Sequence, residues 1–257
     1  VQYIENHELI YIDTIFIKDS KEVNNQTYQS LLRSLLNISS EKDLLQQIKW
    51  LESSHKFLQN SIHFAYGKTN SGGFALLLDI IPKFENNVSG LIGANRVNNG
   101  DWITNGEIEL NLENIWSTAS NSLFHWKRLN EKSEIISFLH YEPTLWNLPF
   151  GLQIKLDKEL RDKEYISQYR DLRIFSNLLR YGKWFFGSKN LTIIPSDIGY
   201  ASGLIKHRSS SILLGLINDT RNHRWIPTNG YYWNISLSIG KQAEDNIANL
   251  NTDLSLN

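Results

Sequence analysis

The chain has 257 residues, with 26 basic side chains, 27 acidic side chains and a formal net charge of −1. This balance lacks the excess of positive charge on which nucleic-acid binding depends, so we expect no nucleic-acid partner. Cysteine is absent, which excludes a disulfide framework, thiol catalysis and cysteine-based zinc sites. Aromatic residues make up 12% of the chain, a share that fits a soluble enzyme and also a membrane barrel with aromatic girdles.

The first third of the sequence predicts a small α/β unit. The segment 10–17 is rich in β-branched and aromatic residues and predicts a strand. Two helices should follow, because apolar residues recur at intervals of three and four behind capping residues at 24–25 and at 39–40. Alternation at 61–66 and an apolar run at 74–81 predict two more strands. The predicted order over residues 1–85 is therefore β-α-α-β-β.

From about residue 87 the helical period is largely lost, and short alternating segments follow one another with turn residues between them. This repeated period of two is typical of antiparallel sheets and of outer-membrane barrels. The predicted second unit covers residues 86–257. We count about nine such segments, near 88–98, 106–115, 121–129, 134–142, 150–160, 167–178, 184–194, 208–217 and 231–241.

The segment 231–241 shows the alternation most clearly. Trp233, Ile235 and Leu237 fall on one face, while Asn234, Ser236 and Ser238 fall on the other. In a membrane barrel the apolar face contacts lipid and the polar face lines the lumen, so Ile235→Arg should impair assembly much more than Ser236→Arg. In a soluble sandwich or lipocalin-like barrel the apolar face would instead be the core. The alternation alone leaves both architectures open.

No uninterrupted apolar run approaches the roughly 18 to 20 residues that a transmembrane helix needs, so a membrane location would depend on strands. The chain opens at Val1 without an initiator Met or a signal segment, and we expect a processed or trimmed product. The seven His residues show no short ligand spacing, and no nucleophile-elbow or phosphate-loop pattern occurs. We therefore predict no catalytic residues, no metal site and no cofactor.

A turn motif lies between the last two of the nine segments. Asp219, Thr220 and Arg221 precede Pro227 and Gly230, which suit a tight turn because proline presets φ and glycine tolerates a positive φ. Asp219 and Arg221 have opposite charges, and they can pair across this turn or within a lumen. An exposed pair contributes only about 0 to 1 kcal/mol, so its expected role is to fix the register.

This motif resembles the strand-turn-strand signature of the BamA/TamA outer-membrane assembly superfamily. Residues 105–116 look like an early barrel hairpin of that family, and residues 141–151 look like its fourth-to-fifth strand connection. The leading β-α-α-β-β unit is similar to a POTRA domain, so the resemblance covers nearly the whole chain. Complete members have about sixteen strands and a Val-Arg-Gly-Phe-like loop motif, and this sequence contains neither the later strands nor that motif. We expect the natural protein to continue past Asn257, since lipid cannot satisfy open strand edges.

The resemblance implies a bacterial outer-membrane barrel with its N-terminal domain in the periplasm. Its implied partners are outer-membrane lipids, unfolded outer-membrane protein clients and accessory lipoproteins, and its implied function is to insert or translocate clients by strand addition at a weak barrel seam. One alternative is a barrel that anchors a patatin-like phospholipase encoded upstream. Another is a soluble ligand-binding β-protein.

The first alternating segment is the expected place for such a seam. Gly90 and Gly93 remove side chains from the strand, and the alternation around Leu91 and Asn95 is weak, so the register is poorly specified. These four residues are the predicted gate. The alternative interpretation is that the two glycines only relieve crowding where the barrel bends.

Overall fold

The computed structural model describes residues 11–18, 21–58, 62–70, 72–96, 100–146, 148–176, 182–221, 228–244 and 247–256; for 247–256 it describes the backbone alone. These residues form two sheets, one of three strands and one of ten.

The predicted β-α-α-β-β order is confirmed in the N-terminal region. Its elements are β1 (Ile12–Lys18), α1 (Asn25–Leu32), α2 (Glu41–Ser54), β2 (Ile62–Lys68) and β3 (Phe74–Ile80). The strands form a sheet in the order β1-β3-β2, in which β3 pairs parallel to β1 and antiparallel to β2.

The helices of the N-terminal region begin at side-chain caps. The side chain of Asn24 accepts a hydrogen bond from the N–H of Thr27 at 2.7 Å, and the hydroxyl of Ser40 accepts one from the N–H of Asp43 at 3.1 Å. Both helices bury their apolar faces against the three-stranded sheet, and the resulting core is stabilised mainly by the removal of apolar surface from water. Its fully buried large side chains are Ile12, Tyr28, Leu31, Leu32, Leu35, Ile38, Leu44, Leu51, Leu58, Leu76 and Leu78.

The second sheet is antiparallel throughout, and each strand pairs with its neighbours in sequence. All nine predicted strands are present, and a tenth strand follows them. The strands are β4 (Asn87–Arg96), β5 (Trp102–Glu113), β6 (Asn121–Asn130), β7 (Ser133–Glu142), β8 (Phe150–Arg161), β9 (Tyr165–Ser176), β10 (Lys183–Pro195), β11 (His207–Asp219), β12 (Tyr232–Glu244) and β13 (Ile247–Leu256). One short helix, α3 (Asp197–Ala201), lies between β10 and β11.

The two faces of the large sheet differ in chemistry and in exposure. On one face, Phe186 of β10 pairs with Leu214 of β11, which pairs with Leu237 of β12, and all three side chains are exposed. On the other face Asp171 and Ser238 are buried. A soluble β-protein buries its apolar face, and here the apolar face is the more exposed one. We call the apolar face the outer face and the polar face the inner face.

The inner face carries most of the polar side chains and ion pairs of the large sheet, together with a small apolar cluster of Phe175, Phe185 and Leu213. Lys127 pairs with Glu107, Lys155 with Asp157, and Arg173 with Asp171. The alternation places these groups where a barrel lumen would be. No helix among the described residues combines the length and the hydropathy needed to cross a membrane.

Candidate functional site: the edge strand and the proximal turns

Strand β4 is one edge of the large sheet. It pairs with β5 on one side, and no described strand pairs with its other side. All ten of its residues are exposed, with Leu91 at 78% and Ile92 at 63%. The backbone N–H and C=O groups that point to its free side therefore have no sheet partner among the described residues.

The four predicted gate residues lie on this one strand but on both faces. Leu91, Gly93 and Asn95 lie on the inner face, and Gly90 lies on the outer face between Val88 and Ile92. Gly90 is paired with Ile108 and Gly93 with Asn105. The structure thus gathers the predicted residues at the sheet edge, and their role as a gate remains a proposal.

Glycines let β4 approach β5 closely. A Cβ added to Gly90 would come within 2.8 Å of the carbonyl oxygen of Glu107, so a side chain there would push the strands apart. A Cβ on Gly93 would meet only the side-chain oxygen of Asn105, which can rotate away. Gly106 of β5 is the most constrained, because its φ is +153° and an added Cβ would collide with the carbonyl oxygen of Leu91. The sequence predicts a hairpin that contains Gly106, but it does not indicate this steric constraint.

The turn motif that begins at Asp219 lies in the connection between β11 and β12. Arg221 donates two hydrogen bonds to the Asp219 carboxylate, from Nε at 2.9 Å and from Nη2 at 2.8 Å. The guanidinium of Arg221 also lies 4.8 Å from the ring centroid of Tyr232. Asp219 and Arg221 thus pair with each other at the turn, on the arm that follows β11. Pro227 lies outside the described residues.

Thr220 joins the two arms of the same connection. Its N–H donates to the carbonyl of Tyr231 at 2.9 Å, and its hydroxyl oxygen accepts from the N–H of Tyr231 at 3.0 Å. Gly230 has φ +96°, and a Cβ there would collide with the carbonyl of Thr220. A residue with a side chain therefore cannot replace Gly230 without moving the turn.

The turn motif contacts the N-terminal region. Lys56 donates a hydrogen bond to the carbonyl of Arg221 at 2.5 Å, and its Nζ lies 3.8 Å from Oδ1 of Asp219. Lys183, at the start of β10, donates to the carbonyl of Ser54 at 3.3 Å. The sequence does not indicate a role for Lys56 or Lys183, because nothing in the local pattern links residues more than a hundred positions apart.

Two further turns of the large sheet contact the N-terminal region at the same end. The N–H of Asn24 donates to the carbonyl of Ser117 at 2.8 Å, and the hydroxyl of Ser30 donates to the carbonyl of Leu148 at 2.7 Å. These contacts fall in the β5–β6 and β7–β8 connections. We call the three connections at 114–120, 143–149 and 220–231 the proximal turns, and the opposite end of the sheet the distal end.

A cavity of about 370 Å³ lies where the N-terminal region meets the inner face, and His55, Phe57, Phe84, Glu113 and Tyr141 help to line it. His55 is buried, and its Nε2 atom has no hydrogen-bond partner among the described residues. Burial, followed by the nearby charge of Lys183, lowers the pKa of His55 well below its usual value of 6.5. This histidine is therefore neutral at pH 7.

No group of three or more His, Asp or Glu residues suited to a metal ion occurs among the described residues. No protein-family model matches the sequence, and no curated protein matches it.

Two solved structures share the fold. The structure of BamA from Haemophilus ducreyi lacking POTRA domains 1–3 matches with a TM-score of 0.53 at 12% identity, over 95% of this chain and 51% of that one. The structure of CdiB from Acinetobacter baumannii matches with a TM-score of 0.54 at 13% identity, over 96% of this chain and 49% of that one. This chain thus spans about half the length of each. The predicted fold is confirmed: the chain has an N-terminal α/β region followed by a large antiparallel sheet, and both match parts of these two structures.

Proposed function

We propose that this chain belongs to an outer-membrane barrel protein that inserts or translocates client proteins by strand addition at the free edge of β4. The outer membrane holds the large sheet, the POTRA-like N-terminal region lies in the periplasm, and the partners are membrane lipids and unfolded client strands. The observation that carries the proposal is the edge strand itself, with ten exposed residues and one side that no described strand pairs with.

An unpaired strand edge is unstable in a bilayer. Each backbone N–H or C=O group left without a partner in hydrocarbon costs several kcal/mol, so the free side of β4 requires another strand. The closing strand of a complete barrel can supply it. A client strand offers the same backbone groups, so it can take that place without any side-chain motif.

The seam at β4 should open more readily than a pair inside the sheet. Gly90 and Gly93 contribute no side-chain packing to it, whereas pairs such as Phe186–Leu214 and Leu214–Leu237 are apolar on both sides. A client strand can replace the backbone hydrogen bonds that break when the seam opens. Side-chain packing across the seam therefore decides how easily it opens. Opening therefore exchanges one set of hydrogen bonds for another and requires no nucleotide.

The proximal end of β4 is held in place. The N–H of Glu85 donates to the Glu113 carboxylate at 2.8 Å, and the N–H of Glu113 donates to the side chain of Asn86 at 2.7 Å. These bonds fix the chain just before β4 to the end of β5. The part that contains Leu91, Gly93 and Asn95 lies beyond them, so opening would begin toward the distal end.

Cysteine crosslinking during client assembly tests the proposal, since the chain has no native cysteine. In the full protein with a closed barrel, Leu91→Cys, Ile92→Cys and Asn95→Cys should each crosslink to a cysteine in the last strand of a client barrel. Ile154→Cys is the matched control for Ile92→Cys, because both isoleucines lie on the outer face and Ile154 is in the central strand β8. Crosslinks at residue 154 but never along β4 would refute the gate and leave the phospholipase-anchoring role as the better hypothesis.

A further inference from the structure

Four cationic side chains lie on the outer face toward the distal end of the sheet. They are Lys158 of β8, Arg170 of β9, Arg208 of β11 and Lys241 of β12, and all four are exposed. The register brings them together: Arg170 pairs with Asn190, which pairs with Ser210, which pairs with Lys241. Lys158 and Arg208 lie one outer-face position further along, joined by Gln168 and Thr192. We call these four residues the cationic patch.

The cationic patch has no anionic partner among the side chains that the structure describes. None of its four side chains forms an ion pair or a side-chain hydrogen bond among the described residues. The outer-face positions between them hold Gln168, Asn190, Thr192 and Ser210, all of them uncharged. By contrast, Lys127, Lys155 and Arg173 on the inner face each pair with a carboxylate. The positive charge of the patch is thus available to an anion outside the chain.

The height of the patch matches one surface of a bilayer. Along β12, Lys241 is eight residues from Trp233, which is about 26 Å along the strand and about 20 Å along the membrane normal at the usual barrel tilt. Apolar outer-face residues, including Ile235, Leu237 and Ile239, occupy the interval. Ile166 and Ile194 lie one outer-face position beyond Lys158 and Arg208, at the distal ends of their strands.

The spacing of the patch suits more than one phosphate. Arg170 and Lys241 are three strands apart, which corresponds to about 14 Å across the sheet. A guanidinium binds a phosphate through two parallel hydrogen bonds, and an ammonium adds a point charge. Two phosphates separated by a sugar-sized headgroup could each contact one half of the patch.

We propose that the cationic patch binds the phosphates of an anionic glycolipid in the leaflet distal to the N-terminal region. This inference deepens the proposed function and rests on its membrane location. The lipid would fix the height of β8 to β12 in the bilayer, while β4, at the far side of the sheet, remains free to move. The patch would thereby separate an anchored part of the barrel from a mobile part.

Lipid binding to the full protein in nanodiscs tests this proposal. The discs contain zwitterionic phosphatidylcholine with a small fraction of a bisphosphorylated disaccharide lipid, and native mass spectrometry counts the retained lipid. The test variant replaces Lys158, Arg170, Lys241 and Arg208 with Gln. The control variant makes the same change of charge at four exposed lysines of the N-terminal region and the segment after it, Lys21, Lys42, Lys49 and Lys83.

We expect the parent and the control variant to retain the bisphosphorylated lipid at least ten times more strongly than the test variant does, and added salt should weaken the binding. Circular dichroism of all three proteins confirms that the sheet is intact. Equal retention by the test variant would overturn the proposal, as would displacement of the lipid by millimolar inorganic phosphate, which would indicate a free-phosphate site. Failure of the parent to enter the discs would refute the membrane location itself, an outcome distinct from entry without selectivity.

Discussion

The N-terminal region and the large sheet place their apolar residues in opposite ways. Most of the buried apolar side chains among the described residues lie in the N-terminal region, and the rest of the chain contributes Ala119, Phe175, Phe185 and Leu213. The first region therefore has a core of its own and can be stable in water. The second exposes its apolar face, and in the proposed membrane location it would depend on backbone pairing and on the surrounding lipid. One chain thus carries two modes of stabilisation, and the difference between them can be tested residue by residue.

The largest expected difference between the two regions is in the free energy of unfolding that is lost when one leucine in each region is replaced by alanine. Leu78 of β3 is fully buried, while Leu214 of β11 is 53% exposed on the outer face. Leu78→Ala removes packed atoms and leaves a cavity, which typically costs about 2 to 5 kcal/mol. Leu214→Ala should cost less than about 1 kcal/mol, because the exposed side chain leaves no enclosed cavity when it is shortened. Both free-energy costs can be measured by urea unfolding of the protein in detergent micelles, with circular dichroism as the signal. Similar costs at the two sites would contradict the comparison.

A second comparison uses glycines in the two sheets. Gly106→Ala should destabilise the β4–β5 pair by about 1 to 3 kcal/mol, because the backbone conformation is unfavourable and the new Cβ meets Leu91. Gly67→Ala in β2 is the control, since no atom lies within 4 Å of a Cβ there. Hydrogen exchange of the β4 amides should rise only in the first variant. Unchanged protection in Gly106→Ala would show that the edge strand is held by something other than its pairing with β5.

The smallest expected effect concerns the junction between the two regions. His55 is buried, and its pKa in the folded state lies below the usual 6.5. Above pH 6.5 it is neutral in both the folded and the unfolded state, so it does not lower the stability of the fold there. As the pH falls below 6.5 the unfolded state binds a proton that the folded state does not. The junction then loses up to about 1.4 kcal/mol per pH unit until the folded pKa is reached. Hydrogen exchange of the α2 amides, corrected for the intrinsic rate at each pH, should therefore become faster as the pH falls from 7.5 to 5.5.

Replacement of His55 by Gln should flatten that pH dependence, and His63→Gln, at an exposed position of β2, should leave it intact. A pH profile that is identical in the parent protein and in His55→Gln would exclude His55 as its source.

The sequence predicts most of the strands because a period of two persists wherever one face is apolar. The nine predicted segments end at residue 241 and leave out β13, although Leu250, Leu254 and Leu256 are separated by polar residues, because the mostly polar residues 241–246 interrupt the apolar alternation. The sequence missed α3 because five residues are too few for a helical period to emerge. Both errors concern short or interrupted patterns.

The site was less predictable than the fold. Turn chemistry identified Asp219, Arg221 and Gly230 as a unit, because their bonds are local. The contact of Lys56 with this turn spans 165 positions and depends on how the two regions meet, which no local pattern encodes. The grouping of Lys158, Arg170, Arg208 and Lys241 likewise depends on strand register and becomes visible only when the pairs are known.

The central claim is that lipid contacts the apolar face of the large sheet, and nitroxide scanning of β12 in a bilayer tests it most directly. Single cysteines at residues 233 to 240 can each be spin-labelled without interference, because the chain has no native cysteine. Accessibility to dissolved oxygen should alternate with a period of two, high at Trp233, Ile235, Leu237 and Ile239 and low at the residues between them. A flat profile, or one with the opposite phase, would contradict the membrane-facing assignment of the sheet.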